Sequence, residues 1–212
     1  MVRAILDGRK TVTRRIVKPQ PTWGSHESGT SSTFCAEWKG RLLGTEGARD
    51  WFLAQCPYGQ QGDRLWVRET HMRVPHPSEF GLTREMLPHT WDACCEVAGT
   101  FLYRADPCSD LVADGRHWTP SIHMPRAASR ITLEVTGVRV ERLQDITEEQ
   151  AQAEGVAEWA RGALSPAGQH ELSAVGQFAM LWDQINGTGS WDANSWVWAV
   201  EFKRVAQERK VA

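Results

Sequence analysis

Eleven tryptophans in 212 residues set the first constraint on what this chain can become. An indole buries a large apolar area and asks for a single hydrogen-bond partner, so most of these rings must line a core. One or two remain available as stacking platforms for a base. The segments that can build that core are short. Arg64–Thr70, Ile131–Thr136, Val138–Leu143 and Trp196–Phe202 read as strands, with Gly137 a candidate bulge between the second and third. At 41% hydrophobic and 24% charged, the composition supports one folded domain enlarged by insertions.

The helices are few and marked at their ends. Val2, Ile5 and Leu6 fall at helical spacing, and Gly8 stops that helix. Thr147-x-x-Gln150 is a capping box opening a short helix towards Glu154, with Gly155 as its stop. Phe178, Leu181, Trp182 and Ile185 form the apolar stripe of a longer helix that ends at Asn186-Gly187. Residues 18–34 are rich in Pro, Gly and Ser and read as a surface loop. Residues 71–100 carry little periodicity and read as an insertion, followed by a short strand at Thr100–Arg104. Trp118–Arg126 holds two prolines and reads as a rigid connector displaying Ser121, His123 and Arg126.

Chemistry concentrates in Gly8-Arg9-Lys10-Thr11-Val12-Thr13-Arg14-Arg15. A lysine stands three residues ahead of a threonine, within one helical turn or a turn-like loop, and both are surrounded by guanidinium groups. Crowding by cations or burial lowers a lysine pKa, and a neutral amine beside a Thr oxygen can make that oxygen a nucleophile. The plainer reading is a solvated basic helix end. In the strand at 64–70, Leu65, Val67 and Glu69 share one face and Trp66, Arg68 and Thr70 the other. An inward Glu69 is either a site carboxylate or an edge residue paired with an arginine.

Gly8-x-Lys10-x-x-Thr13-x-Arg15 resembles the G-x-K-x-x-[ET]-x-R signature of the ASCH domain, a branch of the PUA-like superfamily associated with RNA. Three further blocks resemble that family in the same order. They are Gly62–Val67, then Glu134–Thr136 leading to Ile146–Glu154, then Val197–Lys203. The second is similar to the strand and helix of the small bacterial N4-acetylcytidine amidohydrolases. Trp118–Arg126 resembles a block of the longer ASCH-type proteins of phages and prophages. The resemblance implies an α+β fold: a small mixed β-barrel of PUA-like type with peripheral helices. It would span residues 1–205 as a single domain, with insertions at about 18–60 and 71–128, before a charged tail at 206–212. One departure is the strand that precedes the signature helix in relatives. Here Met1 stands almost at that helix, so either the strand is lacking or the chain begins at an internal methionine.

The implied activity is a metal-independent amidohydrolase that removes an acyl group from the exocyclic amine of N4-acylated cytosine. Lys10 would take the Thr13 proton, the Thr13 oxygen would attack the acyl carbonyl, and Glu154 would protonate the departing amine. Arg15 or a backbone N–H would face the oxyanion. Arg14, Arg15, Trp66, Glu69, His123 and Arg126 are the candidates for holding the substrate, a modified nucleoside or RNA. Two alternatives stand beside this one: an ASCH-type ribonuclease, and a non-catalytic RNA- or nucleotide-binding module of phage origin.

A formal net charge of −2 argues against coating nucleic acid by bulk electrostatics, so any such contact needs a local patch. Arg3, Arg9, Lys10, Arg14 and Arg15, opposed only by Asp7, supply one. No apolar run is long enough to span a bilayer and no signal-peptide pattern follows Met1, which points to a cytoplasmic protein with no membrane partner and no evident obligatory protein partner. Cysteines 35, 56, 94, 95 and 108 are irregularly spaced and suggest no disulfide framework. A zinc site drawing on Cys94 or Cys95, Cys108 and a His lacks the usual C-x-x-C pair, and neither a metal nor another cofactor is expected.

Overall fold

The computed structural model describes residues 1–28, 31–42, 48–74, 76–80, 83, 85–86, 99–106, 117–156 and 173–205. Apart from residues 1, 2 and 207–212, the chain forms two compact units, one from 3–65 with 133–206 and one from 66–132. The stretch expected as the second insertion, 71–128, makes up most of the second unit.

In the first unit, helix α1 (Val2–Leu6) ends at Asp7, and Gly8 at φ 74° turns the chain into strand β1 (Val12–Ile16). The basic signature is therefore a turn running into a strand. α1 stops at Gly8 as expected, where the turn takes the positive φ that glycine tolerates. Residues 18–34, expected as a loop, instead contribute strand β2 (Thr22–Ser28) and the start of β3 (Ser31–Trp38), paired antiparallel from Thr22↔Glu37 to Ser28↔Ser31. Backbone pairing needs no apolar alternation, so Gly- and Ser-rich composition hides such a hairpin. Strand β4 (Arg41–Leu42) adds to β3, and helix α2 (Ala48–Ala54) follows.

Strand β5 (Arg64–Trp66) is shorter than the expected 64–70; from Val67 onward the chain leaves the strand, although the Val67 N–H still donates to the Ile131 carbonyl. Residues 132–142, expected to break or bulge at Gly137, form one continuous strand, here β8 after the pair in the second unit. Gly137 is where the Glu201 carboxylate closes on the backbone, 3.1 Å from where a Cβ would stand. The last strand, β9 (Trp196–Val205), completes a curled antiparallel sheet of order β1-β9-β8-β5. The unit is thus α+β.

That sheet has a cluster on each face, fixed by the period-2 alternation of β9. Trp198 and Val200 join Val17, Trp38, Phe52, Cys56 and Val135 on one side. Phe52 lies between Trp38 and Trp198, with ring centroids 4.7 and 4.8 Å away, and the Trp38 indole N–H finds its one acceptor at the Pro19 carbonyl, 2.7 Å. Val197 joins Leu143, Ile146, Ala151, Val156, Phe178 and Trp182 on the other side. Ala151 comes from helix α3 (Glu148–Ala153), opened by the Thr147–Gln150 capping box, and Phe178 and Trp182 from helix α4 (Ala174–Asn186), capped by Ser173. The expected stripe of α4 narrows at its end, where Ile185 is 60% exposed.

In the second unit, β6 (His71–Arg73) pairs antiparallel with β7 (Phe101–Tyr103), and His71 bridges to Thr119. Two short 3-10 turns, Ser121–His123 and Arg126–Ala128, follow Pro120 and Pro125. Met72, Met124, Ala128 and Ile131 are buried. Cys94, Cys95 and Cys108 lie outside the described residues. No helix among the described residues is long and apolar enough to cross a membrane.

Phe52→Ala removes the ring wedged between two tryptophans and should cost about 3–5 kcal/mol of unfolding free energy. Ile185→Ala should stay within about 0.5 kcal/mol of wild type. Guanidinium denaturation of both variants checks the ranking, and equal stabilities would contradict the assignment of the core.

Candidate functional site

The site begins with two charges that the fold takes out of water. Lys10 is buried at the turn before β1, and Glu154 is buried at the C-terminal cap of α3. The Lys10 Nζ donates to the Glu154 Oε2 at 2.5 Å, to the Glu154 carbonyl at 2.9 Å and to the Val12 carbonyl at 2.9 Å. An ammonium has three protons, and all three are placed. Burial pulls the Lys10 pKa below the ordinary lysine value; Glu154 opposes that shift, and the Arg15 and Arg14 charges add to it. The hydrogen bonds describe the protonated form, paired with a carboxylate rather than serving as a free base.

Gly155 is what lets these residues meet. It stands at φ 79°, and a Cβ there would come within 2.9 Å of the Ala4 Cβ and 3.1 Å of the Lys10 Cβ. The Thr11 N–H also donates to the Ala153 carbonyl at 2.9 Å, tying the start of β1 to the end of α3.

Arg14 extends the site. It shares a face of β1 with Val12 and Ile16, and its side chain is wholly buried. Its Nε and Nη2 donate to Glu141 Oε1 at 2.9 and 2.6 Å, and Nη2 also donates to Gln150 Oε1 at 2.9 Å. Its Nη1 stands 3.4 Å from Glu154 Oε1, and its Cζ lies 5.9 Å from the Phe178 ring centroid. Charge is balanced locally: Lys10 and Arg14 face Glu154 and Glu141. Beyond Glu141, Arg139 continues the chain of ion pairs to Glu201.

A cleft of about 170 Å³ opens beside this cluster, lined by Arg14, Arg15, Lys18, Glu154, Tyr58, Phe178 and Trp182. It has aromatic walls and a cationic rim. The Trp182 indole N–H is buried with no acceptor among the described residues. Such a donor is worth an explanation, since leaving it unsatisfied costs about 1–3 kcal/mol.

Of the expected catalytic residues, Lys10 and Glu154 come together across the chain. Thr13 stands on the alternate position of β1, opposite Val200 in register, so it belongs to the face of Trp198 and Val200, away from Arg14. Arg15 shares that register side opposite Trp198 and is exposed, its Nη1 donating to the Arg14 carbonyl. The other expected residues lie in the second unit. Glu69, 1% exposed, is held by Arg130 at 2.9 and 3.1 Å; the same guanidinium holds Asp106 and lies 3.9 Å from the Tyr103 ring. Of its two sequence readings, the arginine-paired carboxylate is the one observed. Trp66 is half-buried, and His123 and Arg126 are exposed.

Sequence reasoning passed over Glu141, Gln150 as an Arg14 ligand, and Trp182 as more than a core residue. Arg139-x-Glu141 alternates with Val138 and Val140, a charged row on one strand face that would have flagged Glu141. Comparison with protein-family models, with characterised proteins and with solved structures finds no match.

Lys10→Met strands the Glu154 carboxylate in the interior and should cost about 3–5 kcal/mol, whereas Lys10→Met/Glu154→Leu should recover most of that loss. A double-mutant cycle from denaturant unfolding measures the coupling. Because the folded Lys10 pKa is depressed, the unfolded chain binds the proton more tightly. Its contribution to stability therefore rises with pH between the depressed value and the ordinary value of about 10.4. Lys10→Met should abolish that alkaline rise; a rise of unchanged size would assign it to another group.

Proposed function

We propose that the protein is an amidohydrolase of the ASCH, PUA-like kind, acting on N4-acylated cytosine in the cleft beside Glu154. The observation that carries the reading is a buried carboxylate, fixed by Lys10, at the wall of a small cleft with aromatic sides. At about 170 Å³ the cleft is below the roughly 300–1,000 Å³ of sites for drug-sized ligands, which suits a planar base or its acyl group. Arg15 and Lys18, which line the cleft, suit a phosphate or ribose side. The Glu134–Glu154 and Val197–Lys203 blocks, which resemble parts of the N4-acetylcytidine amidohydrolases, support the same substrate class.

In this proposal Glu154 moves the proton. Its carboxylate takes a proton from water as the water oxygen bonds to the acyl carbon, and the C=O electron pair moves onto the carbonyl oxygen. The tetrahedral intermediate then collapses, the bond from carbon to N4 breaks, and the proton on Glu154 passes to the leaving amine. The products are the carboxylic acid and the free cytosine amine. Lys10, with its three donors committed, holds Glu154 in place. Water is preferred to Thr13 as nucleophile because Thr13 stands on the other face of β1.

N4-acetylcytidine hydrolysis, followed by the loss of its ultraviolet absorbance, should fall about 10²–10⁴-fold in Glu154→Gln. Thr13→Ala should stay within about threefold of wild type, below the contribution of a general acid or base. A wild-type protein that leaves the substrate intact, or an undiminished Glu154→Gln, would overturn the proposal. A folded but inactive Thr13→Ala would return the nucleophile role to Thr13.

A further inference from the structure

The second unit carries a surface that the acyl-cytidine reading does not use. The half-buried Trp66 ring has two guanidinium groups against it, Arg68 with its Cζ 4.9 Å from the ring centroid and Arg126 at 5.6 Å. Both arginines are exposed. The Arg68 Nη1 also donates to the Ile122 carbonyl at 3.3 Å, which ties the group to the connector between Pro120 and Pro125. On that connector Ile122 is 69% exposed.

Among the described residues, the charges around this ring are not compensated within the unit. Among its described carboxylates, Glu69 and Asp106 are taken by Arg130, Glu79 by Arg73, and Glu85 is hydrogen-bonded to Thr83. Neither Arg68 nor Arg126 has a carboxylate partner among the described residues. Two like charges gathered on one indole, on a proline-stiffened frame and in a chain of net charge −2, form a local cationic patch rather than part of a general basic surface. A ring and two planar guanidinium groups are also the surfaces on which unstacked bases rest, and guanidinium pairs well with phosphate.

We propose that the Trp66–Arg68–Arg126 surface binds single-stranded nucleic acid, stacking bases on the Trp66 and guanidinium planes while the two arginines neutralise adjoining phosphates. Ile122 covers the apolar edge of a stacked base. A strand offers both a π face and a phosphate every few ångströms, whereas a duplex keeps its bases stacked on one another. The inference does not rest on the hydrolase reading, because its readout is binding alone.

The test is fluorescence anisotropy of labelled short oligouridine and oligothymidine with the whole protein, across a series of salt concentrations. Affinity should fall with salt, and Arg68→Ala/Arg126→Ala should reduce the log–log slope by about 1.4, about 0.7 for each lost contact. Trp66→Leu should weaken binding roughly tenfold while leaving the slope unchanged, and Trp66→Phe should restore most of the loss. That split separates stacking from charge; if Trp66→Leu misfolds by circular dichroism, the arginine pair and Trp66→Phe still decide. No binding of either at low salt, an unchanged slope in the arginine variant, or equal affinity for a duplex would overturn the proposal.

Discussion

A guanidinium with no exposed surface is costly to hold inside a protein, and the arrangement of the first unit follows from how Arg14 is held. Its side chain leaves the edge strand β1 on the face covered by α3 and α4. Removing such an ion from water costs several kcal/mol unless its donors find acceptors of good geometry. Glu141 on β8 and Gln150 on α3 supply these at 2.6–2.9 Å, and Glu154 adds a looser contact at 3.4 Å. β8, β1 and α3 must therefore keep their spacing for the charge to stay satisfied. Lys10 then fixes Glu154 from the opposite side.

Gln150 links local and long-range order in this cluster. Its side-chain oxygen accepts from the Thr147 N–H to complete the capping box of α3 and also accepts from Arg14. The helix start and the buried ion pair are thus satisfied by one atom. A side chain that serves a cap and a core charge at once leaves the short helix α3 little freedom to shift against β1. The catalytic carboxylate we propose sits at the other end of the same helix, one residue beyond Ala153.

Much of this was legible in the residues, and the exceptions have physical causes. Thr147-x-x-Gln150, Gly155 and the Asn186-Gly187 stop mark their helix ends through backbone geometry that few other residues supply, and all three occur where the spacing indicates. Pairing Lys10 with Glu154 could be anticipated only from the family resemblance, because nothing local in the sequence joins residues 144 positions apart. The side of β1 on which Thr13 falls is not legible, since the residues fit a helical turn or a turn-like loop, and period 3.6 and period 2 place residues 10 and 13 differently. The β2–β3 hairpin was hidden by composition. The Arg139-x-Glu141 row is legible as a charged strand face, but its meeting with a buried guanidinium is not, because such a face usually meets water.

Gly155 has a role that reaches beyond a helix stop. The missing side chain leaves a gap that Ala4 from α1 and the Lys10 stem fill from the other side. The distance between the ammonium and the carboxylate is thereby set by an absent methyl group rather than by either charged residue. A position of this kind acts as a spacer of fixed thickness. Its chemistry is inert, yet it decides how closely the Lys10 stem can pack against the end of α3. Drift at this one glycine could silence or retune the pair while every polar residue of the site remained in place.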